Sequence, residues 1–210
     1  MAVRSDIDTS GQPRTFTEQA RRAQIVECAI QAVADLGYAR ASLAEIAKRA
    51  GVSKGVISYH FAGKDELIEQ VVLELYTRAG ERIGARVEQA PNSASALRGY
   101  LESNLAFIRG NPTYVRVLID ISMNFRMPDG RPRYDAEGAE GLLRHLEGIL
   151  RSGQEAGEFR SFATRPMAIV IRAAIDAASG QVALDPDFDT GSYTQELLTL
   201  FELATAKDSA

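Results

Sequence analysis

Cysteine and histidine are scarce in this chain of 210 residues: Cys28 stands alone, and His60 and His145 are the only histidines. A lone thiol permits no intramolecular disulfide, and one cysteine with two histidines cannot assemble an ordinary structural zinc site. A secreted, disulfide-built scaffold is therefore excluded, and no metal or other cofactor is expected. Long apolar runs are missing as well. The longest uninterrupted aliphatic stretch, Met167 to Ile171, falls far short of the ~20 apolar residues that a bilayer crossing needs. The first fifteen residues are polar rather than signal-like. These absences lead to the expectation of a cytoplasmic protein with no membrane partner. Strand-like alternation of apolar and polar residues is lacking too, whereas apolar residues recur at three and four almost everywhere, so the fold class expected is all-α.

Hydrophobic residues make up 45% of the chain and charged residues 25%, the balance of a soluble globular protein long enough to bury a core without staples. The net charge of −4 argues by itself against a nucleic-acid partner, but it hides an asymmetry. Residues 1–65 carry nine Lys/Arg against seven Asp/Glu, while the remainder carries fifteen against twenty-one. A basic front and an acidic back are expected when one end meets phosphate and the other does not.

Residues 1–14, with Ser5, Asp6, Asp8, Thr9, Ser10, Gly11 and Pro13, hold almost nothing to bury and are expected as a flexible arm whose only cations are Arg4 and Arg14. Thr15 and Glu18 fit a capping box, after which Ile25, Val26, Ala29, Ile30, Val33 and Leu36 share one face until Gly37 stops the helix. Ser42 and Glu45 suggest a second capping box, followed by barely two turns ending at Gly51. Ser53 can cap a third helix at once, running to about His60. Val56 and Ile57 are available to face inward there, leaving Lys54, Gly55, Ser58 and Tyr59 outward. Two short helices joined by a tight glycine-containing turn, the second polar on its outer face, are what a helix-turn-helix requires. Gly63 offers a break before a fourth helix built on Leu67, Ile68, Val71, Val72, Leu75, Tyr76 and Ala79.

Longer helices are expected at about 93–109, 112–126, 134–156, 165–183 and 190–206, about nine helices in total. Asn111 would cap the second of these, with Pro112 at its first position, and residues 127–132 and 185–189 would be loops. Several apolar faces carry embedded polar groups: Asn104 between Leu101 and Phe107, Asp120 between Ile119 and Ile121, and Asp176 between Ile175 and Ala177. Each must face solvent, find a partner or line a cavity. Arg116 with Asp120, and Arg172 with Asp176, stand four apart and fit ordinary surface bridges equally well.

The segment from Ser42 to Leu67 resembles the DNA-binding domain of the tetracycline-repressor (TetR) family of bacterial transcriptional regulators. Three features match in order and spacing: the Ile-Ala-x-x-Ala-Gly-Val-Ser-x-Gly core, the Tyr-His-Phe closing the third helix, and the Lys-x-x-Leu opening the fourth. Ser58 departs from the pattern, since many relatives carry a second aromatic residue there. The resemblance implies a flexible arm at 1–14, a helix-turn-helix domain at 15–62 and a helical ligand-binding and dimerisation domain at 63–207. It also implies a homodimer that places two third helices on a palindromic site in double-stranded DNA, repression being the family's usual habit. Ser42, Tyr59, His60 and Lys64 would hold phosphates, and Ser53, Lys54, Gly55 and Ser58 would lie at the helix start or nearest the bases. Plain structural roles compete at some of these positions: Ser42 and Ser53 serve as caps regardless, His60 can cap carbonyls, and Phe61 belongs to the core.

The same resemblance implies a small-molecule inducer bound among the middle helices. The candidate lining is Tyr100, Asn104, Phe107, Asp120, Met123, Asn124, Arg172 and Asp176, with Phe125 and Met127 nearby as adaptable surface. Acidic groups lining such a site would favour a lipophilic cation. The small residues Ala173, Ala174, Ala177, Ala178 and Gly180, with Leu197, Leu198, Leu200, Phe201 and Ala204, suit a four-helix contact across a twofold axis. Enzymatic chemistry has little to work with. Cys28 lies on a periodic helix face, neither histidine has a neighbouring motif, and Gly51-Val-Ser-Lys-Gly55 lacks the spacing and the preceding strand of a phosphate loop. The rival reading is a helical small-molecule receptor or interaction protein that has lost specific DNA binding, which Ser58 and the acidic overall charge favour.

Overall fold

A computed structural model describes residues 15–134, 140–185 and 187–207. The expected arm at 1–14, with Arg4 and Arg14, lies outside the described residues. Among the described residues there are nine helices and no strand: α1 (Phe16–Leu36), α2 (Leu43–Ala50), α3 (Lys54–His60), α4 (Lys64–Glu88), α5 (Ser93–Gly110), α6 (Pro112–Asn124), α7 (Glu140–Glu155), α8 (Thr164–Leu184) and α9 (Thr190–Thr205). The all-α architecture read from the spacing of apolar residues is the one observed. The chain forms two compact units, Met1–Leu75 and Tyr76–Ala210, so the division falls inside α4.

The first unit is assembled by local signals. Thr15 and Glu18 make both halves of a capping box at the start of α1, and Gly37 ends the helix with φ 81°, its N–H donating to the Val33 carbonyl. Gly51 closes α2 in the left-handed region at φ 65°, where a side chain would be strained. α1 packs on α2 and α2 on α3, and Ile25, Ala29, Ile30, Ile46, Ile57, Phe61, Leu67 and Ile68 are shut off from solvent. Burial of such aliphatic and aromatic side chains, each contributing about 1.5–3 kcal/mol, gives this small unit its core.

In the second unit α5 packs against α7, α8 and α9, and α8 in turn against α6, α7 and α9. Leu97, Leu101, Leu105, Leu146, Leu150, Ile171, Ile175, Ala178, Leu198 and Phe201 lie in its shared core. α8 is long and apolar enough, by length and composition alone, to cross a membrane, which the short aliphatic run within it did not suggest. Its Ala168, Ile171, Ile175, Ala178 and Val182 are buried in the helical core.

Three helices depart from or extend the sequence reading. α4 runs beyond Ala79, the last apolar position named for it, through Gly80 and Gly84 to Glu88. Ile83 and Val87 explain the extension, because both pack against the second core and offset the helix penalty of the glycines. Asn111 makes no side-chain cap to α6; its amide donates back to the Phe107 carbonyl at 2.8 Å, so it closes α5 instead. The helix expected from 134 is described as α7 only from Glu140, residues 135–139 lying outside the described set.

Candidate nucleic-acid interface and ligand site

The helix-turn-helix is held by short-range hydrogen bonds. Ser42 Oγ accepts from the Glu45 N–H at 3.2 Å and Ser53 Oγ from the Val56 N–H at 3.3 Å, fixing the starts of α2 and α3. The expected second capping box does not form: the Ser42 N–H donates to the Arg40 carbonyl at 2.8 Å, and the Glu45 carboxylate accepts from Arg49 Nε at 3.2 Å instead. Arg49 also donates to Asp35 at 2.6 Å, an ion pair that raises its already high pKa and keeps it charged. Only Gly51, Val52 and Ser53 separate the two helices, and the Val52 N–H donates to the Ala47 carbonyl at 3.0 Å.

α3 presents two distinct faces. Ile57 is fully buried, while Ser53, Lys54, Gly55, Ser58 and Tyr59 are exposed, with Tyr59 open over 65% of its surface. The Tyr59 hydroxyl donates to Glu18 Oε1 at 2.9 Å. His60 separates from this set, because it is only 7% exposed, stacks edge-on against Tyr59, and lends its carbonyl to Arg22. Lys64 is drawn inward too, donating to the Tyr38 carbonyl at 2.6 Å with its ammonium 4.3 Å from that ring's centre.

Sequence reasoning missed Arg22, Tyr38 and Glu18 as parts of this arrangement. Arg22 is 7% exposed, its guanidinium 4.1 Å from the centre of the Phe61 ring and 3.6 Å from the Glu66 carboxylate. Arg22 therefore organises the end of α3 rather than adding to the outer positive surface. The signal was available only as a cation on the apolar side of α1.

In the second unit the expected ligand residues fall into three places. Tyr100, Asn104, Arg172 and Asp176 come together. Arg172 makes an ion pair with Asp176 and donates to Asn104 Oδ1 at 3.4 Å, while Asn104 Nδ2 donates to the Tyr100 carbonyl at 2.8 Å. Burial disfavours the Arg172 charge, but its hydrogen bonds to Asp176, helped by Tyr100, outweigh it and its pKa is raised. Tyr76, read from sequence as one more apolar position of α4, is 48% exposed yet within electrostatic reach of this cluster: partial desolvation raises its phenol pKa, Arg172 lowers it and Asp176 raises it. Elsewhere, Asp120 accepts from Asn124 Nδ2 at 2.8 Å, and Met123 beside them is 66% exposed. Phe107 is buried.

The reason for expecting a cationic ligand is weakened by this geometry, because the Asp176 carboxylate is already neutralised by Arg172. An apolar cavity of about 240 Å³ lies instead between α5 and α9, lined by Leu97, Leu101, Phe159, Leu198 and Phe201 with the exposed Arg98 and Glu202, and none of the expected ligand residues lines it. Among the described residues no group of three His, Cys, Asp or Glu could hold a metal ion. The apolar groups left in solvent on α8 and α9 are Ile169, Val170, Leu184, Leu200 and Leu203. Ala178, Leu197, Leu198 and Phe201, expected at a subunit contact, are buried within their own unit.

Residues 25–71 match the family model of bacterial regulatory proteins, tetR family. The HTH-type transcriptional regulator BetI 1 of Chromohalobacter salexigens is 31% identical over 119 residues, which cover 56% of this chain and 59% of that protein. The chain thus spans less than two thirds of that curated relative. A transcriptional regulator from Saccharomonospora viridis, solved in complex with choline, superposes with a TM-score of 0.74 at 22% identity, covering 90% of this chain and 99% of that one. FadR from Bacillus subtilis, solved in complex with stearoyl-CoA, superposes with a TM-score of 0.72 at 22% identity over 85% and 96% of the two chains.

Proposed function

We propose that the chain is a member of the tetR family of bacterial regulatory proteins and a sequence-specific transcriptional regulator, a repressor released from a palindromic operator by a small-molecule ligand. One observation carries the reading: a three-residue turn joins α2 to α3, and α3 is buried through Ile57 while Lys54, Gly55, Ser58 and Tyr59 stand in solvent. Small residues permit close approach to base edges, and the lysine and hydroxyls supply donors that phosphates and bases accept. Lys54, Gly55 and Ser58 are assigned to the bases, Ser42, Ser53 and Tyr59 to the backbone, and Lys64 to a phosphate reached by leaving the Tyr38 carbonyl. His60 is assigned a supporting role, given its burial.

Reading a palindrome requires two copies, and the exposed Ile169, Val170, Leu200 and Leu203 are assigned to that homodimer contact. Residues 15–62 form the DNA-reading domain and 63–207 the ligand and dimer domain in this reading, and a regulator of chromosomal genes works in the cytoplasm. α4 is unbroken from Lys64 to Glu88, so a ligand-dependent displacement of its second half reaches the residues that follow α3. A ligand coupled in this way weakens operator binding by its differential affinity for the two states, typically ~1–3 kcal/mol. Choline and stearoyl-CoA in the two superposed structures support a ligand in this fold.

Lys54→Ala tests the assignment. Operator binding measured by fluorescence anisotropy weakens at least tenfold, while the native dimer mass and thermal midpoint are retained. Unchanged DNA affinity removes the reading. A second reading, a receptor without DNA recognition, is favoured by the internal engagement of Arg22, Arg49 and Lys64, which thins the positive surface. A folded dimer that binds ligand and shows no salt-sensitive DNA binding would establish it.

A further inference from the structure

The cluster around Arg172 is rich in hydrogen-bond donors and short of acceptors. The guanidinium carries five N–H groups and the Tyr100 phenol one O–H. Against them stand the Asn104 carbonyl oxygen and Asp176 Oδ1, which accepts from both Nε and Nη2 of Arg172. Tyr100 is 2% exposed, and Arg172 lies close enough for its guanidinium to donate to the phenol oxygen, but the Tyr100 O–H itself has no acceptor among the described residues. A buried O–H left without an acceptor is costly, so its retention in the core calls for a function. Asp176 is the exposed member, its side chain 61% open against 17% for Arg172. A carboxylate at the solvent edge therefore already occupies part of the guanidinium fork, as a ligand oxygen anion arriving from solvent would.

We infer that Arg172, Tyr100 and Asn104 form the recognition end of the ligand site and take the oxygen-anion headgroup of a small molecule, a carboxylate or a phosphate, in exchange for Asp176. The inference rests on the ligand-responsive reading above and names its ligand class. The anion takes bidentate hydrogen bonds from the guanidinium and a third from the Tyr100 hydroxyl, charge-assisted bonds that a quaternary ammonium cannot accept. The apolar cavity between α5 and α9 has Arg98 at its edge, already paired with both Glu102 and Glu202. Its buried hydroxyl, on Thr205, donates to the Phe201 carbonyl at 2.7 Å and is satisfied.

The test uses three probes with one tail, dodecanoate, dodecyl phosphate and dodecyltrimethylammonium, each below its micelle concentration and titrated calorimetrically into the DNA-free full chain. At least one anion binds and the ammonium does not, and the preferred anion identifies carboxylate or phosphate as the headgroup. Tyr100→Phe weakens that anion about tenfold while leaving the thermal midpoint unchanged or raised, since it removes a buried O–H that has no acceptor. Asp176→Asn tightens it by removing the competing carboxylate. Failure of both anions, preference for the ammonium, or equal anion binding to native and Tyr100→Phe protein overturns the inference. Operator release is read separately. Anion binding at this site without any effect on DNA leaves the site standing and refutes only its regulatory role.

Discussion

The Tyr59 hydroxyl donates to Glu18 Oε1 at 2.9 Å, tying the outer face of α3 to the first turn of α1. The other oxygen of Glu18 accepts from the N–H and the hydroxyl of Thr15, both at 2.9 Å, so one carboxylate both caps α1 and holds Tyr59. A phenol has a single proton to donate. Tyr59 cannot serve Glu18 and a phosphate at once, and the negative charge of Glu18 opposes the polyanion directly. Glu18→Gln is expected to tighten operator binding about twofold to fivefold at low salt, the scale of an exposed charge interaction, and the gain fades as salt rises. Anisotropy titrations at two salt concentrations check this, and weaker binding by the variant would contradict it.

Arg22 acts inside the first unit. Its guanidinium donates to the His60 carbonyl, covers the Phe61 ring and lies 3.6 Å from Glu66. Arg22→Ala leaves that carbonyl without its charged donor and opens space beside the ring. The expected loss is about 2 kcal/mol or more, the scale of a hydrogen bond to a charged group plus the desolvation left behind. Urea denaturation followed by circular dichroism reads it, and a change within about 0.5 kcal/mol, as for an ordinary surface cation, would contradict it.

Two glycines of α7 should respond oppositely to alanine. A Cβ at Gly153 would collide with the ring of Phe159, which is 5% exposed, whereas one at Gly148 meets nothing within 4 Å. Gly153→Ala is expected to destabilise by about 1–3 kcal/mol through overpacking. Gly148→Ala should be neutral or stabilise by up to about 1 kcal/mol through helix propensity. Thermal melts of the two variants check the contrast, and equal shifts would contradict it.

What was legible in the sequence was what local chemistry decides. Thr15 with Glu18, Ser53, Gly37 and Gly51 announce helix ends because cap and stop lie within four residues of the groups they satisfy. What was hidden depends on partners far along the chain. Arg22 drew no reading and Lys64 was read only as a phosphate contact, because their acceptors, the carbonyls of His60 and Tyr38, lie 38 and 26 residues away. α4 extends beyond the apolar positions named for it because Ile83 and Val87 gain burial that overrides two glycines.

The ligand candidates divide the same way. Arg172 with Asp176 is a four-residue spacing that can be read directly, whereas Asn104 meets Arg172 across 68 residues and could be flagged only as a polar group on an apolar face. Tyr76 gave no signal at all, since its place on an apolar face of α4 conceals the two charges beside it.

Selection of bound DNA from a random duplex library by the purified chain, without added ligand and at moderate salt, tests the central claim most directly. Enrichment of a single palindromic site, lost in Lys54→Ala, is the predicted result. Folded, dimeric protein that enriches no sequence would contradict it and establish a receptor without DNA reading.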